Sequence, residues 1–388
     1  MKFGLTAEHD EIADAVRRLM TRFPDDYWAE RDQTHTFPTE FYDAFAEAGY
    51  LGILIPPEYG GSGLGLTETA VALGEVSGSG GGLGAATAVH LSIFGMTPVV
   101  KFGSEEMKRK YLPAVVKGDL HVCFGVTEPD AGSDTTRITT SAVRDGDHYV
   151  INGKKVWISK AMESQKCLLL TRTTPRDKVA RPSEGMTLFL VDLDPSAVVI
   201  KPISKMARNS VSSCELFIEN LRVHESDRVG EEGKGFRYLL DGLNAERILI
   251  SFEAVGLGRA AIRRAAEYAK TRNVFDRPIG KNQSVQLPLA ESLARLEAAH
   301  LMAIKAATMY DAGLPCGTEA NMAKFLAGDA SFEAADRALQ THGGFGYATE
   351  FHVERYFRES RLWRFAPISQ NLALAYIAER VLGLPKSY

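Results

Sequence analysis

Val126-Thr127-Glu128-Pro129-Asp130-Ala131-Gly132-Ser133-Asp134 marks a seam in the chain. Before it the sequence reads as helix, and after it as short strands. Its hydroxyls and free backbone N–H groups can hold a phosphate or the edge of a heteroaromatic ring. The same composition also makes an Asx- and glycine-rich turn, and the segment alone leaves both readings open.

Working outward, residues 1–121 carry helical patterns. Thr6 caps a segment with Ile12, Val16 and Leu19 on one face, and Pro38-Thr39-Glu40 opens a second that ends near Gly49. Ser104-Glu105-Glu106 places acids in the first turn of a later helix. Gly78-Ser79-Gly80-Gly81-Gly82 lacks a following Gly-Lys-Ser/Thr, so it reads as a loop or a tight helix approach, not a phosphate loop. Glu232-Gly233-Lys234-Gly235 has the wrong spacing for that motif as well.

Residues 122–228 read as strands. Tyr149-Val150-Ile151 and Val156-Trp157-Ile158 flank Asn152-Gly153, which predicts a hairpin there. Leu168-Leu169-Leu170, Leu188-Phe189-Leu190-Val191 and Leu216-Phe217-Ile218 are further strands. Trp157 and Ser159 lie two apart on one strand and project from the same face. An aromatic plate beside a hydroxyl suits a flat ring system, and equally a core tryptophan. Residues 229–388 return to helix, over 236–272, about 285–312, about 318–341 and about 368–382. Gln340-Thr341-His342-Gly343-Gly344 ends the third of these with glycines that permit a left-handed cap or close approach to a ligand.

Within the first of those helices, Leu239, Leu243, Glu246, Ile250, Ala254 and Leu257 recur at steps of three and four and share one face. Glu246 is the one polar member of that stripe. A carboxylate so placed loses hydration, its pKa rises, and it suits a general base. A Glu246–Arg247 surface pair is the competing explanation.

Composition limits the function classes. The 388 residues are 45% hydrophobic and 24% charged, with a formal net charge of −4. That is ordinary globular material without the basic stripe of a nucleic-acid binder. Met1-Lys2-Phe3-Gly4-Leu5-Thr6 does not read as a basic-then-apolar signal sequence, and no apolar run is read as long enough to span a bilayer. Four scattered cysteines (Cys123, Cys167, Cys214, Cys316) fit reduced thiols and a cytoplasmic location. The histidines show no HExxH or paired spacing, so no metal site is expected.

Taken in order, the Val126–Asp134 segment and the run Gln340…Gly343-Gly344…Gly346-Tyr347…Glu350…Arg355…Glu359 resemble the acyl-CoA dehydrogenase family over essentially the whole chain. The resemblance implies an α+β multidomain fold: an N-terminal helical domain (1–121), a middle β-barrel-like domain (122–228) and a C-terminal four-helix bundle (229–388). It implies FAD as cofactor, an acyl-CoA substrate, an electron-transfer flavoprotein as partner, and a homotetramer built as a dimer of dimers. By the same resemblance Phe124, Val126, Thr127 and Ser133 run along the flavin, Trp157 lies beside its ring, and Ser159 hydrogen-bonds near N5 and O4. Arg272, Phe275 and Gln283 match a segment that contacts FAD across a subunit boundary. Gln340, Gly343 and Gly344 match the segment at its adenosine diphosphate end, and Ser369 and Asn371 complete the cofactor set. Ser133, Asn244, Arg247 and Ile368 are implied substrate contacts.

The chain departs from the family pattern at several positions. Many members carry the base in a Tyr-Glu-Gly-Thr segment, which here is Ala366-Pro367-Ile368-Ser369, so the usual base position is Pro367. A minority, resembling isovaleryl-CoA and long-chain acyl-CoA dehydrogenases, place it on the first C-terminal helix, at the position of Glu246. Pro367 also lacks the backbone N–H that would polarise a thioester carbonyl, so a neighbour such as Ile368 must supply it. Asn209 replaces a common arginine, with Arg208 the candidate substitute, and Arg137 is bulky where a small residue is usual. The implied reaction makes a trans-2-enoyl-CoA, Glu246 taking the Cα proton and flavin N5 the Cβ hydride. A flavin oxidase or monooxygenase of the same fold, and an inactive flavin-binding protein, are the alternatives.

Overall fold

Thr6 accepts the backbone N–H of His9 while His9 Nδ1 accepts that of Thr6, a reciprocal cap that starts helix α1 (Ala7–Met20) where expected. The computed structural model describes residues 4–387, so Met1 to Phe3 of the opening stretch lie outside the described residues. Six more helices follow: α2 (Asp25–Thr34), α3 (Thr39–Glu47), α4 (Leu66–Val76), α5 (Gly82–Phe94), α6 (Thr97–Phe102) and α7 (Glu105–Val116). Ser104 caps α7 through the Met107 N–H.

Eight strands then form one mixed sheet: β1 (Val122–Gly125), β2 (Ser141–Asp145), β3 (His148–Ser159), β4 (Lys166–Arg172), β5 (Met186–Asp192), β6 (Val198–Pro202), β7 (Ser213–His224) and β8 (Arg228–Val229). Their order is β6-β7-β3-β2-β4-β5-β8, with β1 parallel to β4. The runs on β4 and β5 are continuously apolar because both faces are covered. Leu168, Leu170, Leu188 and Leu190 pack with Met96, Val99 and Met107 of the preceding helices, while Leu169, Phe189 and Val191 pack with β3 and β7.

The Asn152-Gly153 hairpin is not formed. β3 runs straight through these residues, and the chain turns instead at Gly146, between β2 and β3. Asn152-Gly153 is a bulge: the register against β7 slips between Ile151 and Gly153, and a Cβ on Gly153 would lie 2.4 Å from Thr140 Oγ1.

The chain ends in helices: α8 (Gly235–Thr271), a short β9 (Asn273–Val274)–β10 (Arg277–Pro278) ribbon, α9 (Gln283–Asp311), α10 (Gly317–His342), α11 (Val353–Ser360) and α12 (Gln370–Arg380). α8, α9 and α10 pack on one another, and α11 and α12 lie against α10. α8 also faces α4 and α5. A Cβ on Gly256 would sit 2.2 Å from the Gly74 carbonyl oxygen, and one on Gly78 would sit 3.3 Å from that of Gly256. The glycine-rich stretch is therefore a tight helix approach. Arg355 holds it by donating to the Gly80 carbonyl at 2.8 Å, and Glu359 accepts the Leu83 N–H at 2.7 Å where α5 begins.

One expectation needs correction. The helical succession Leu66–Phe102 is long and apolar enough to cross a membrane by composition. However, 83% of its most apolar window is buried inside the protein, which marks it as a core helix.

The contact at Gly256 yields a stability prediction. Gly256→Ala forces α4 away from α8 and is expected to cost about 1–3 kcal/mol, as overpacking does. Thermal melts of the two proteins read this; an unchanged midpoint would show that the helices part without cost.

Candidate functional site

Val126–Asp134 emerges from β1 and is pinned by Glu128, which sequence reasoning left without a role. Its carboxylate accepts from the backbone N–H groups of Thr139 and Thr140 and from the buried Lys155 ammonium at 2.9 Å. Burial alone would raise its pKa, but Lys155 and these N–H groups hold it down to about 2. The Thr127 carbonyl accepts the Val156 N–H, which ties the loop to β3 beside Trp157.

Trp157 is 58% exposed, unusual for so large an apolar side chain on a central strand. Trp157, Lys160 and Arg208 all have φ between 60° and 65°, left-handed conformations that bulky residues rarely adopt. Such outliers gather at functional sites. Arg208 donates to the hydroxyls of Ser159 and Ser213 at 2.9 and 2.8 Å, so it takes a place beside Ser159 while Asn209 instead donates its N–H to Asp32. Burial lowers the Arg208 pKa to about 10, with Glu359 and Glu253 opposing the shift.

Glu246 has no hydrogen bond and no ion pair among the described residues, which removes the Glu246–Arg247 surface pair. Burial raises its pKa, and the His90 and Arg247 charges oppose the rise. As residues, Glu246 and Arg208 are both half-buried. Arg247 instead donates to Asn244 Oδ1 at 2.9 Å, leaving its own Nε buried without a partner. A separate open cleft of about 910 Å³ is lined by Leu240, Asp241 and Asn244 on one side and Lys101 and Tyr310 on the other. Glu246 is not among its walls.

The Pro367 segment is anchored from behind. The buried Lys324 ammonium donates to the Ile368 carbonyl at 2.5 Å, and burial lowers its pKa to about 8. The Ile368 N–H donates to nothing among the described residues, so it is free to replace the donor that proline lacks. Ser369 Oγ accepts the Leu372 N–H as the cap of α12, which leaves its own proton available; Asn371 is exposed.

The structure separates the remaining expected residues from these. Arg272, Gln283, Gln340, Gly343 and Gly344 are exposed, and Phe275 is 93% exposed on the β9–β10 ribbon. Arg272 lies over the Phe345 ring at 5.4 Å, which groups them at one end of the bundle. No hydrogen bond or ring contact joins that group to Trp157 or Ser159 among the described residues. Phe124 and Val126 are half-buried, Ser133 is exposed, and Arg137 lies exposed in the turn beyond.

Two residues escaped sequence reasoning. Glu253 lies two helical turns after Glu246 on the same side of α8, is 1% exposed, and pairs at 2.7 Å with His90 of α5. The stripe thus holds a second carboxylate. Its spacing of seven was visible, but its partner, 163 positions away, was not.

Three successive domain comparisons decide the family. Residues 6–119, 123–221 and 233–382 match the N-terminal, middle and C-terminal domains of acyl-CoA dehydrogenase. The chain belongs to the acyl-CoA dehydrogenase family. It is 36% identical over 384 residues to the acyl-CoA dehydrogenase FadE12 of Mycobacterium tuberculosis, covering 98% of this chain and 97% of that one. It superposes on butyryl-CoA dehydrogenase from Megasphaera elsdenii with a TM-score of 0.93 at 27% identity, covering 98% and 100% of the two chains. It superposes equally, at 26% identity and over 99% and 100% of the chains, on an FAD complex of PigA. Acyl-CoA dehydrogenases are FAD-dependent oxidoreductases acting on CH–CH bonds, and this fold is theirs. The exposed indole of Trp157, two residues before Ser159 on β3 and in a left-handed conformation shared with Lys160 and Arg208, fits a flat ring system.

Loss of both groups tests that fit. The double substitution Trp157→Ala, Ser159→Ala removes a stacking face and a hydroxyl, and is expected to weaken FAD binding about tenfold or more. Flavin fluorescence titration of the apoprotein measures it, and unchanged affinity would place the ring elsewhere.

Proposed function

We propose that the protein oxidises an acyl-CoA thioester between Cα and Cβ to the trans-2-enoyl-CoA, with Glu246 as the base. The observation that carries this is the carboxylate of Glu246, on the apolar stripe of α8, with its pKa raised by burial and no hydrogen bond or ion pair among the described residues. The base position usual elsewhere in the family is occupied by Pro367.

The Cα–H of a saturated thioester is a poor acid, so its carbonyl oxygen needs donors as negative charge develops. The Ile368 N–H is the donor this chain offers, held in place by Lys324 behind the same residue. The enclosed position of Glu246 raises its basicity and keeps water from competing for the proton. Bound FAD supplies the acceptor for the hydride that leaves Cβ. Val126, Thr127, Trp157 and Ser159 would hold its ring side, with Phe124 and Ser133 along the same segment and Ser369 and Asn371 at the last helix. Arg247 and Asn244 organise the thioester end of the substrate.

Phe275, Arg272 and Gln283 are too exposed to serve a site within one chain. We assign them, with Gln340, Gly343 and Gly344, to the FAD of a second subunit. That arrangement makes a homotetramer, as a dimer of dimers, the working assembly. An electron-transfer flavoprotein is the proposed electron acceptor, the cytoplasm the proposed location, and 1–121, 122–228 and 229–388 the proposed domains.

Glu246→Gln preserves shape but removes the proton acceptor. Anaerobic flavin bleaching by an acyl-CoA is expected to slow by about 10²–10⁴-fold, while the substrate still perturbs the flavin spectrum. In the unmutated protein bleaching slows as pH falls through the Glu246 pKa, above the ordinary glutamate value, and that acid limb is lost in the variant. Near-normal bleaching by the variant would sink the assignment. Rapid reoxidation of the reduced protein by air would favour the oxidase alternative, and absence of bleaching by any acyl-CoA the inactive one.

Assembly is tested separately. Light scattering is expected to report a tetramer, and Phe275→Asp to lower FAD occupancy although Phe275 is 93% exposed in its own chain. A monomer with full FAD occupancy would contradict the shared site.

A further inference from the structure

β3 carries a second bulge where it passes β7. Lys155 pairs with Leu216 and Ile158 with Cys214, so Val156 and Trp157 together stand opposite Glu215 alone. The extra residue turns the chain there, and Trp157 takes a φ of 63° with its indole 58% exposed. The ladder then recovers, and Ser159 is the register partner of Ser213. One group spans the two hydroxyls. Arg208, in the loop between β6 and β7, donates from Nη2 to Ser159 Oγ at 2.9 Å and to Ser213 Oγ at 2.8 Å.

Two features exceed what a clamp between strands requires. A hydroxyl oxygen that accepts from Arg208 keeps its own proton to give. Ser159 is half-buried, and its proton goes to no acceptor among the described residues. The guanidinium, in turn, has no carboxylate within ion-pair distance among the described residues. Glu359 and Glu253 act on it from farther away and are paired with Arg355 and His90. An uncharged amide would join two hydroxyls at a smaller cost in desolvation. A cation is favoured in that place when a group beside Ser159 gains negative charge. The ring system of FAD, set against Trp157, is such a group, because reduction adds electrons to it.

We propose that Arg208 tunes the reduction potential of the bound flavin: it holds the Ser159 hydroxyl as a donor toward the ring, and its unpaired charge favours the reduced ring over the oxidised one. Arg208 is a positioning residue, acting through Ser159. Burial lowers its pKa to about 10, which leaves it charged at neutral pH. This inference rests on FAD lying against Trp157 and Ser159, and is independent of which acyl group is the substrate.

The test is the midpoint potential of the holoenzyme, read by anaerobic reduction beside a reference dye, so that no acyl-CoA enters the measurement. Three variants separate charge from clamp. Arg208→Lys keeps a cation, Arg208→Gln keeps an uncharged donor, and Arg208→Met keeps neither. Loss of the charge is expected to lower the preference for reduced over oxidised flavin about tenfold in the Gln and Met variants, a fall of about 30 mV for a two-electron couple. The Lys variant is expected to stay close to the unmutated protein. The potential is read on the molecules that retain FAD, so partial loss of the cofactor leaves it measurable, and the Gln and Lys variants decide if Met fails to fold. A merely structural clamp predicts weaker FAD retention at an unchanged potential, or equal falls in the Lys and Gln variants. Either result would overturn the inference while leaving the flavin site intact. Undiminished FAD affinity in the Trp157→Ala, Ser159→Ala protein would overturn both.

Discussion

The close packing of α4 and α5 on α8 is the constraint on which the site depends. Gly256 lets the Gly74 backbone approach to a distance no side chain would permit, and the glycine turn before α5 continues that contact. Arg355 and Glu359 then fix the turn from the far end of the sequence, by the Gly80 carbonyl and the Leu83 N–H. The consequence is functional. α5 is placed so that His90 meets Glu253 and its charge acts on Glu246, and a sub-ångström shift in that packing would move the charges around that carboxylate.

The electrostatics of the cleft are balanced, not neutral by absence. Burial raises the Glu246 pKa while the His90 and Arg247 charges oppose the rise. Arg208 and Lys324 are cations depressed by burial, to about 10 and about 8, each held by uncharged oxygens. Glu128 is the opposite case. There the Lys155 ammonium and two backbone N–H groups outweigh burial, and the carboxylate serves to shape a loop. The two carboxylates thus differ in whether donors reach them: Lys155 and two backbone N–H groups at Glu128, none among the described residues at Glu246.

Much of this was legible in the sequence because helices write their burial at a period of 3.6. The stripe through Glu246 and the bounds of α8 to α10 follow from that period, and the cap residues Thr6 and Ser104 mark helix starts. What failed was local inference where tertiary contact decides. Asn152-Gly153 has the composition of a turn, yet Gly153 is needed there because Thr140 crosses it too closely for a side chain. The apolar length of Leu66–Phe102 was broken up in reading by its glycines, which are the residues that pack it into the core. The His90–Glu253 pair and the turn of Arg208 toward Ser159 were invisible, since each joins segments whose proximity only the fold creates.

The central claim is that Glu246 and the flavin side of the sheet act on adjacent carbons of one acyl chain. Anaerobic stopped-flow with acyl-CoA deuterated either at Cα or at Cβ tests it most directly. The account predicts that each label slows flavin reduction, and that washout of the Cα label into solvent requires Glu246. A normal rate with the Cα label, or washout undiminished in Glu246→Gln, would contradict it.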